Sequence, residues 1–181
     1  VAGKRITAFL DLITKKKTFT DLEIPVAVVA TDLISGKRVV IEEGTVTEAV
    51  RASISIPGVF TPVYKDDMVL VDGAVKDRLP IEVARMKGAD LIIAVDVTFG
   101  PNKKVLIRNA MDVILTSLDI MQKPHFESIR PQADILIQPA VGHLASQDFD
   151  KSRELVDLGR AAAEEKIDEI LDKISALKES S

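Results

Sequence analysis

Cysteine is absent from the 181 residues, so neither a disulfide framework nor a thiolate nucleophile is available. That absence fits a reducing cytoplasm. Histidine occurs only twice, at His125 and His143, with no metal-ligand spacing between them, and neither a metal nor a cofactor is expected. No apolar run approaches the roughly 20 residues that a transmembrane helix needs, and no signal peptide is visible. A net charge of −4 leaves no basic footprint for nucleic acid. The one basic run, Lys15-Lys16-Lys17, is read as a solvated helix end, with a phosphate or anionic-membrane contact as the alternative. Neither G-x-G-x-x-G nor G-x-x-x-x-G-K-[ST] occurs, which removes nucleotide binding through a glycine-rich phosphate loop.

What is present is the material of a core. Apolar residues make up 46% and charged residues 29%, which excludes disorder, and the length suits one domain or most of one. Residues 3–14 read as a helix with Ile6, Phe9, Leu10 and Ile13 on one face. The lysine run closes it, where cations suit the negative end of the helix dipole. The nearly unbroken apolar run at 24–31 reads as a strand covered on both faces. Asp32 at the strand end is read as the cap of the turn that follows, with a polar site residue as the alternative, and Ser35-Gly36 leads into 37–43 to make a hairpin. Residues 45–55 read as a helix behind a threonine N-cap, with Glu48 placed to complete a capping box.

The second half alternates in the same way. Residues 81–87 read as a short helix behind Pro80 and closed by Gly88. Residues 90–97, DLIIAVDV, read as a buried strand in which the Asp96 carboxylate must find hydrogen-bond donors. The 105–122 stretch reads as a helix with only a narrow polar stripe, so burial is expected, with a face for a partner or lipid as the alternative. A short strand at 133–139 is followed by a loop at 141–149 carrying His143. One long helix is expected over 151–179. This alternation argues for an α/β layer rich in parallel strands.

The stretch that organises the rest is 51–80, RASISIPGVFTPVYKDDMVLVDGAVKDRLP. Residues 69–71 form a buried apolar strand that ends at Asp72-Gly73, where the chain must turn. Gly73 lacks a Cβ and permits a sharp reversal or a close approach. A carboxylate at the C-terminal edge of such a strand stands where open α/β sheets build their sites. Taken alone, the pair is also an ordinary Asp-Gly turn.

Ala52-Ser-Ile-Ser-Ile-Pro-Gly58, then Phe60, Pro62, Asp72-Gly73-Ala74 and Arg78-Leu79-Pro80, resemble the patatin-like phospholipase family, and its small bacterial members in particular. The likeness runs from about Leu22 to the helix after Asp148. It implies a three-layer α/β/α sandwich with a mostly parallel sheet. It also implies a serine-type carboxylic-ester or acyl-lipid hydrolase of the esterase or lysophospholipase type, working through a Ser-Asp dyad. Asp72 corresponds to the base of that dyad and Gly73 to the turn that frees it.

The family's nucleophile lies in a Gly-x-Ser-x-Gly elbow behind a glycine-rich oxyanion loop, and this chain contains neither. It also begins at Val1 without methionine. The expectation is therefore that residues 1–181 are the C-terminal portion of one patatin-like domain whose N-terminal part is missing, and that the fragment alone is inactive. Its substrate would be an acyl ester or lysophospholipid, with no nucleic acid. The chain would be cytoplasmic, with contact at the membrane periphery, homo-oligomerisation or pairing with the missing N-terminal segment left open. A Ser-His-Asp triad through His143 would have the right chain order but no elbow serine. The alternative function is a non-enzymatic interaction or oligomerisation module.

Overall fold

Helix α1 spans Ala2–Thr14 and ends where Lys15 and Lys16 enter the left-handed region, at φ 53° and 56°. Side chains rarely adopt that conformation. Only Leu10 of the expected apolar face is buried, and Phe9 and Ile13 stand exposed. The computed structural model describes residues 2–98, 105, 107–144 and 148–180. These fall into two units, Val1–Pro80 and Ile81–Ser181.

In the first unit, β1 (Val28–Asp32) and β2 (Arg38–Ile41) form the expected hairpin. Asp32 caps its turn, accepting from the N–H groups of Ile34 and Ser35, the Ser35 hydroxyl and the Val69 N–H. These donors, led by the Ser35 hydroxyl, lower its pKa to about 2. The sign follows directly. A carboxyl depressed in the folded state stabilises the fold above its ordinary value, 3.8, and that contribution is lost as pH falls toward about 2. Asp32→Asn is expected to flatten the acid limb of thermal stability across that window, as read by melts at stepped pH. An unchanged limb would assign acid unfolding to other carboxylates.

Helix α2 (Val46–Ser53) starts behind Thr45, whose hydroxyl accepts from the Glu48 N–H at 3.3 Å. A second hairpin, β3 (Val63–Lys65) with β4 (Met68–Asp72), turns through Asp66, at φ 52°. The sheet order is β2-β1-β4-β3, and every pair is antiparallel. The expectation of a mostly parallel sheet is thus corrected for this unit. Only the end of the apolar run is a covered strand: β1 is central and antiparallel with Val29, Ala30, Thr31 and Asp32 buried, whereas residues 24–27 precede it outside any strand, with Ile24 and Val26 exposed. Direction is not encoded in the run. Ala30, Ala52 and Leu70 make the core between sheet and α2, with Val39, Ile41, Val63 and Met68 packed against it. The hydroxyls of Thr14 and Thr47 meet at 2.8 Å and tie α1 to α2.

The second unit holds α3 (Ile81–Met86), β5 (Ile93–Val95), α4 (Ala110–Ile129), β6 (Ile135–Ile137), α5 (Ser152–Glu164) and α6 (Ile167–Ser180). Here β5 and β6 do pair in parallel, Ile93 with Ile135 through Val95 with Ile137. The α/β class therefore holds. Three expectations change. Ile93 and Val95 are exposed while Ala94 is buried, so one face of β5 is open. Helix α4 runs through Pro124 instead of stopping before it, and Phe126 and Ile129 beyond the proline are its buried residues. Their packing outweighs the hydrogen bond that proline removes. Val113, Ile114, Ile120 and Met121 are exposed, which overturns the expected burial of the helix. The segment at 99–104, with Leu106, lies outside the described residues.

The long terminal helix is two helices. The Lys166 N–H reaches back only three residues to the Ala163 carbonyl at 3.0 Å, and its ammonium holds Glu169 at 2.8 Å. That tight turn separates α5 from α6. No helix among the described residues is long and apolar enough to cross a membrane.

Candidate active site

Asp72 ends β4, with its Cα opposite that of Ala30 in β1. Its backbone N–H donates to the Ser55 carbonyl at 3.1 Å, which ties the strand end to the loop after α2. Its carboxylate accepts from the Ala74 N–H at 2.8 Å and so caps the short 3-10 turn Gly73–Val75. The side chain is half-buried. Burial raises its pKa above the ordinary carboxylate value, and the Ala74 N–H and the charge of Arg78 pull it back only in part.

Gly73 is required by space. A Cβ there would lie 2.4 Å from the Val29 carbonyl oxygen, so β1 and the turn can meet only at glycine. The Thr31 hydroxyl closes the same contact by donating to the Gly73 carbonyl at 3.3 Å.

Two buried ionic groups flank this turn, and neither is apparent from the sequence alone. Asp77 donates its N–H to the Gly73 carbonyl at 2.8 Å, and its carboxylate pairs with Arg38 of β2. Its Oδ1 has no hydrogen-bond partner among the described residues. Arg38→Ala leaves that buried carboxylate without its cation. The expected loss is about 3 kcal/mol, measurable as a lower denaturation midpoint, and an unchanged midpoint would show that the pair adds nothing. The second group is Arg51, buried on α2. Its guanidinium donates to the Ser55 hydroxyl, to the Thr61 carbonyl at 2.9 Å and to the Thr61 hydroxyl at 3.2 Å, and it lies 6.0 Å from the Phe60 ring centroid. The loop it braces turns at Pro57-Gly58, where the Val59 N–H returns to the Ile56 carbonyl at 3.0 Å and Gly58 takes φ 81°. That geometry is a type II turn, which calls for glycine at its third position. A basic residue between Ala49 and Ala52 on an otherwise small-residue helix face is the one hint the sequence offered for Arg51.

No described hydroxyl hydrogen-bonds to Asp72. Ser53 donates to the Val29 carbonyl at 2.7 Å, Ser55 to the Arg51 carbonyl at 2.8 Å, and Ser35 to Asp32 at 2.6 Å. His143 pairs with Glu154 at 3.1 Å on the exposed start of α5. His125 is exposed on α4. Asp96 is buried just past β5, where it accepts from the Thr98 N–H and the Gln138 amide, each at 2.8 Å. That is the structural role expected of it. A cleft of about 160 Å³ lies between α2 and the sheet, with Ala52, Val63 and Leu70 in its wall, and Asp72 does not line it. Among the described residues no three His, Asp or Glu side chains cluster as a metal site would require.

Residues 2–85, which include Asp72 and Gly73, match the sequence model of the patatin-like phospholipase family. An uncharacterized NTE family protein of Mycobacterium bovis is 46% identical over 76 residues, covering 42% of this chain and 21% of that protein. A second uncharacterized NTE family protein of the same organism is 30% identical over 159 residues, covering 75% of this chain and 27% of its own length. The patatin-like phospholipase domain-containing protein 7 of Mus musculus is 34% identical over 98 residues, covering 53% of this chain and 7% of that protein. The chain thus spans between a fifth and a third of the length of the two bacterial relatives. Its ordered motifs, its family match and these relatives agree. Over residues 2–85 the chain is similar to the patatin-like phospholipase family.

Proposed function

We propose that this chain carries the base of a serine-type carboxylic-ester hydrolase acting on acyl esters or lysophospholipids. The observation that supports it best is the half-buried Asp72 carboxylate, raised in pKa by burial at the end of β4. A serine hydroxyl attacks an ester carbonyl only if its proton leaves as it attacks. An ordinary Asp, with a pKa near ~3.9, is a poor acceptor at neutral pH. Withdrawal from water makes Asp72 a better one.

In this reading the serine oxygen bonds to the acyl carbon, its proton passes to Asp72, and the carbonyl oxygen becomes an oxyanion. Collapse expels the alcohol, which takes the proton back, and water then hydrolyses the acyl-serine by the same route. The nucleophile and the oxyanion donors would come from sequence of the parent protein outside these residues. The hydroxyls of Ser35, Ser53, Ser55, Ser117 and Ser128 are committed elsewhere, and no Gly-x-Ser-x-Gly is present. A single domain with a three-layer α/β/α arrangement, of which residues 1–181 are the C-terminal portion, belongs to the same proposal. The test is turnover of a chromogenic short-chain ester by the full-length protein, its Asp72→Asn variant and the 181-residue chain. Activity is expected in the first alone. Turnover by the 181-residue chain that Asp72→Asn abolishes would show that the nucleophile lies within it.

One observation favours a second reading, a non-enzymatic association module: the exposed Val113, Ile114, Ile120 and Met121 of α4. Self-association lost on polar substitution at these positions, together with no esterase activity in the full-length protein, would favour it.

A further inference from the structure

We propose that α1 and the lysine turn behind it form a docking surface for anionic phospholipid membranes. The idea rests on the lipid-hydrolase reading and specifies how the protein would reach a bilayer substrate. Helical spacing puts Arg5, Phe9, Leu12 and Ile13 on one side of α1, at intervals of four, seven and eight residues. Phe9, Leu12 and Ile13 are 61%, 75% and 57% exposed, and Arg5 is exposed as well. Leu10, on another side, is the α1 residue buried in the core. The exposed stripe is therefore apolar in its middle and additional to the face that holds the helix in place.

Charge selects the partner. Residues 2–17 hold five basic side chains, Lys4, Arg5, Lys15, Lys16 and Lys17, against the single acid Asp11, in a chain whose net charge is −4. A protein or second copy with the average charge of this chain would not need that concentration of cations beside exposed phenylalanine and leucine. An anionic bilayer does: apolar side chains enter the headgroup boundary while flanking cations meet the phosphates. The left-handed Lys15 and Lys16 end the helix abruptly and keep all three exposed lysines in one tight turn. The turn is anchored from behind, since the Lys17 N–H donates to the Thr14 carbonyl at 3.1 Å and its carbonyl accepts from the Val46 N–H at 3.0 Å. Asp21 lies close enough to Lys17 to feel its charge, so Lys15 and Lys16 carry most of the cationic attraction.

The experiment is flotation of the full-length protein with vesicles of phosphatidylglycerol and phosphatidylcholine in equal parts, with pure phosphatidylcholine vesicles as the comparison. Binding is expected only to the anionic vesicles and should weaken as salt rises. Neutralising two surface lysines, Lys15→Gln with Lys16→Gln, should weaken it about 25-fold. Phe9→Ser with Leu12→Ser should weaken it about tenfold or more. All four positions are exposed, and circular dichroism verifies that the variants remain folded. Asp72→Asn should float like the parent, so a failed hydrolase reading and a failed docking reading give different results. Equal binding to both vesicle types, or undiminished binding after lysine neutralisation, overturns the proposal. So does a chain that ignores vesicles but forms dimers that Phe9→Ser with Leu12→Ser dissociates.

Discussion

Replacing Asp72 with asparagine in the full-length protein is expected to lower ester turnover by roughly 10³- to 10⁴-fold while leaving the fold intact. Asparagine keeps an oxygen that can accept from the Ala74 N–H, the 2.8 Å bond that caps the Gly73–Val75 turn. It cannot take a proton from a serine. The stability side has a definite sign. The Asp72 pKa is raised, so the folded state holds that proton more tightly than the unfolded chain does. The group's contribution to stability is full below its ordinary value, 3.8, and is lost as pH rises through the higher folded value. At neutral pH asparagine removes that penalty, and the variant should melt no lower than the parent. For the active protein, the acid limb of the kcat/KM profile should lie above the ordinary carboxylate range, because only the deprotonated Asp72 accepts. Retained turnover in Asp72→Asn, or a limb at the ordinary carboxylate value, removes Asp72 from the role of base.

Gly73→Ala should produce the largest loss of stability from a single added carbon. The new Cβ would sit 2.4 Å from the Val29 carbonyl oxygen and 2.9 Å from its carbonyl carbon. Both are backbone atoms of a central strand, so no side chain can swing aside. Either β1 or the turn must move, breaking the register that places Ala30 opposite Asp72. The expected cost is about 3 kcal/mol, the upper part of the overpacking range, or a Tm lower by roughly 10 °C. A differential scan decides it. An unchanged Tm would mean that β1 yields freely, and the close contact would then have no bearing on how Asp72 is held.

The segment around Asp72 was legible because each of its signals is local. Apolar β-formers, an Asp-Gly pair and Pro57-Gly58 act over four or five residues, and the structure builds a strand, a cap and a type II turn from them. The Asp32 cap and the buried hydrogen-bonding role of Asp96 were legible for the same reason. Strand direction was not, because the run at β1 encodes burial and the antiparallel partners are chosen by the hairpins. The β3–β4 hairpin has a local signal too, since Asp66-Asp67 separates two strand-like segments by only two residues. Arg38, Arg51 and Asp77 were illegible because their partners are distant or ambiguous. The Arg38–Asp77 pair joins residues 39 positions apart, and no periodicity announces it. The α4 helix deceived in the opposite sense, since a mostly apolar helix and a buried one are written with the same residues.

Arg51 has a consequence for how this chain tolerates change. Its guanidinium lies 3.2 Å from where a Cβ would stand on Gly3, and the Thr61 hydroxyl lies 3.3 Å from the same point. Positions 3, 51 and 61 therefore share one small volume. Drift at any of them is epistatic on the other two: a methyl group tolerated at position 3 beside a shorter residue at 51 would crowd the native arginine. Homologues that keep this loop should vary the three sites as a set.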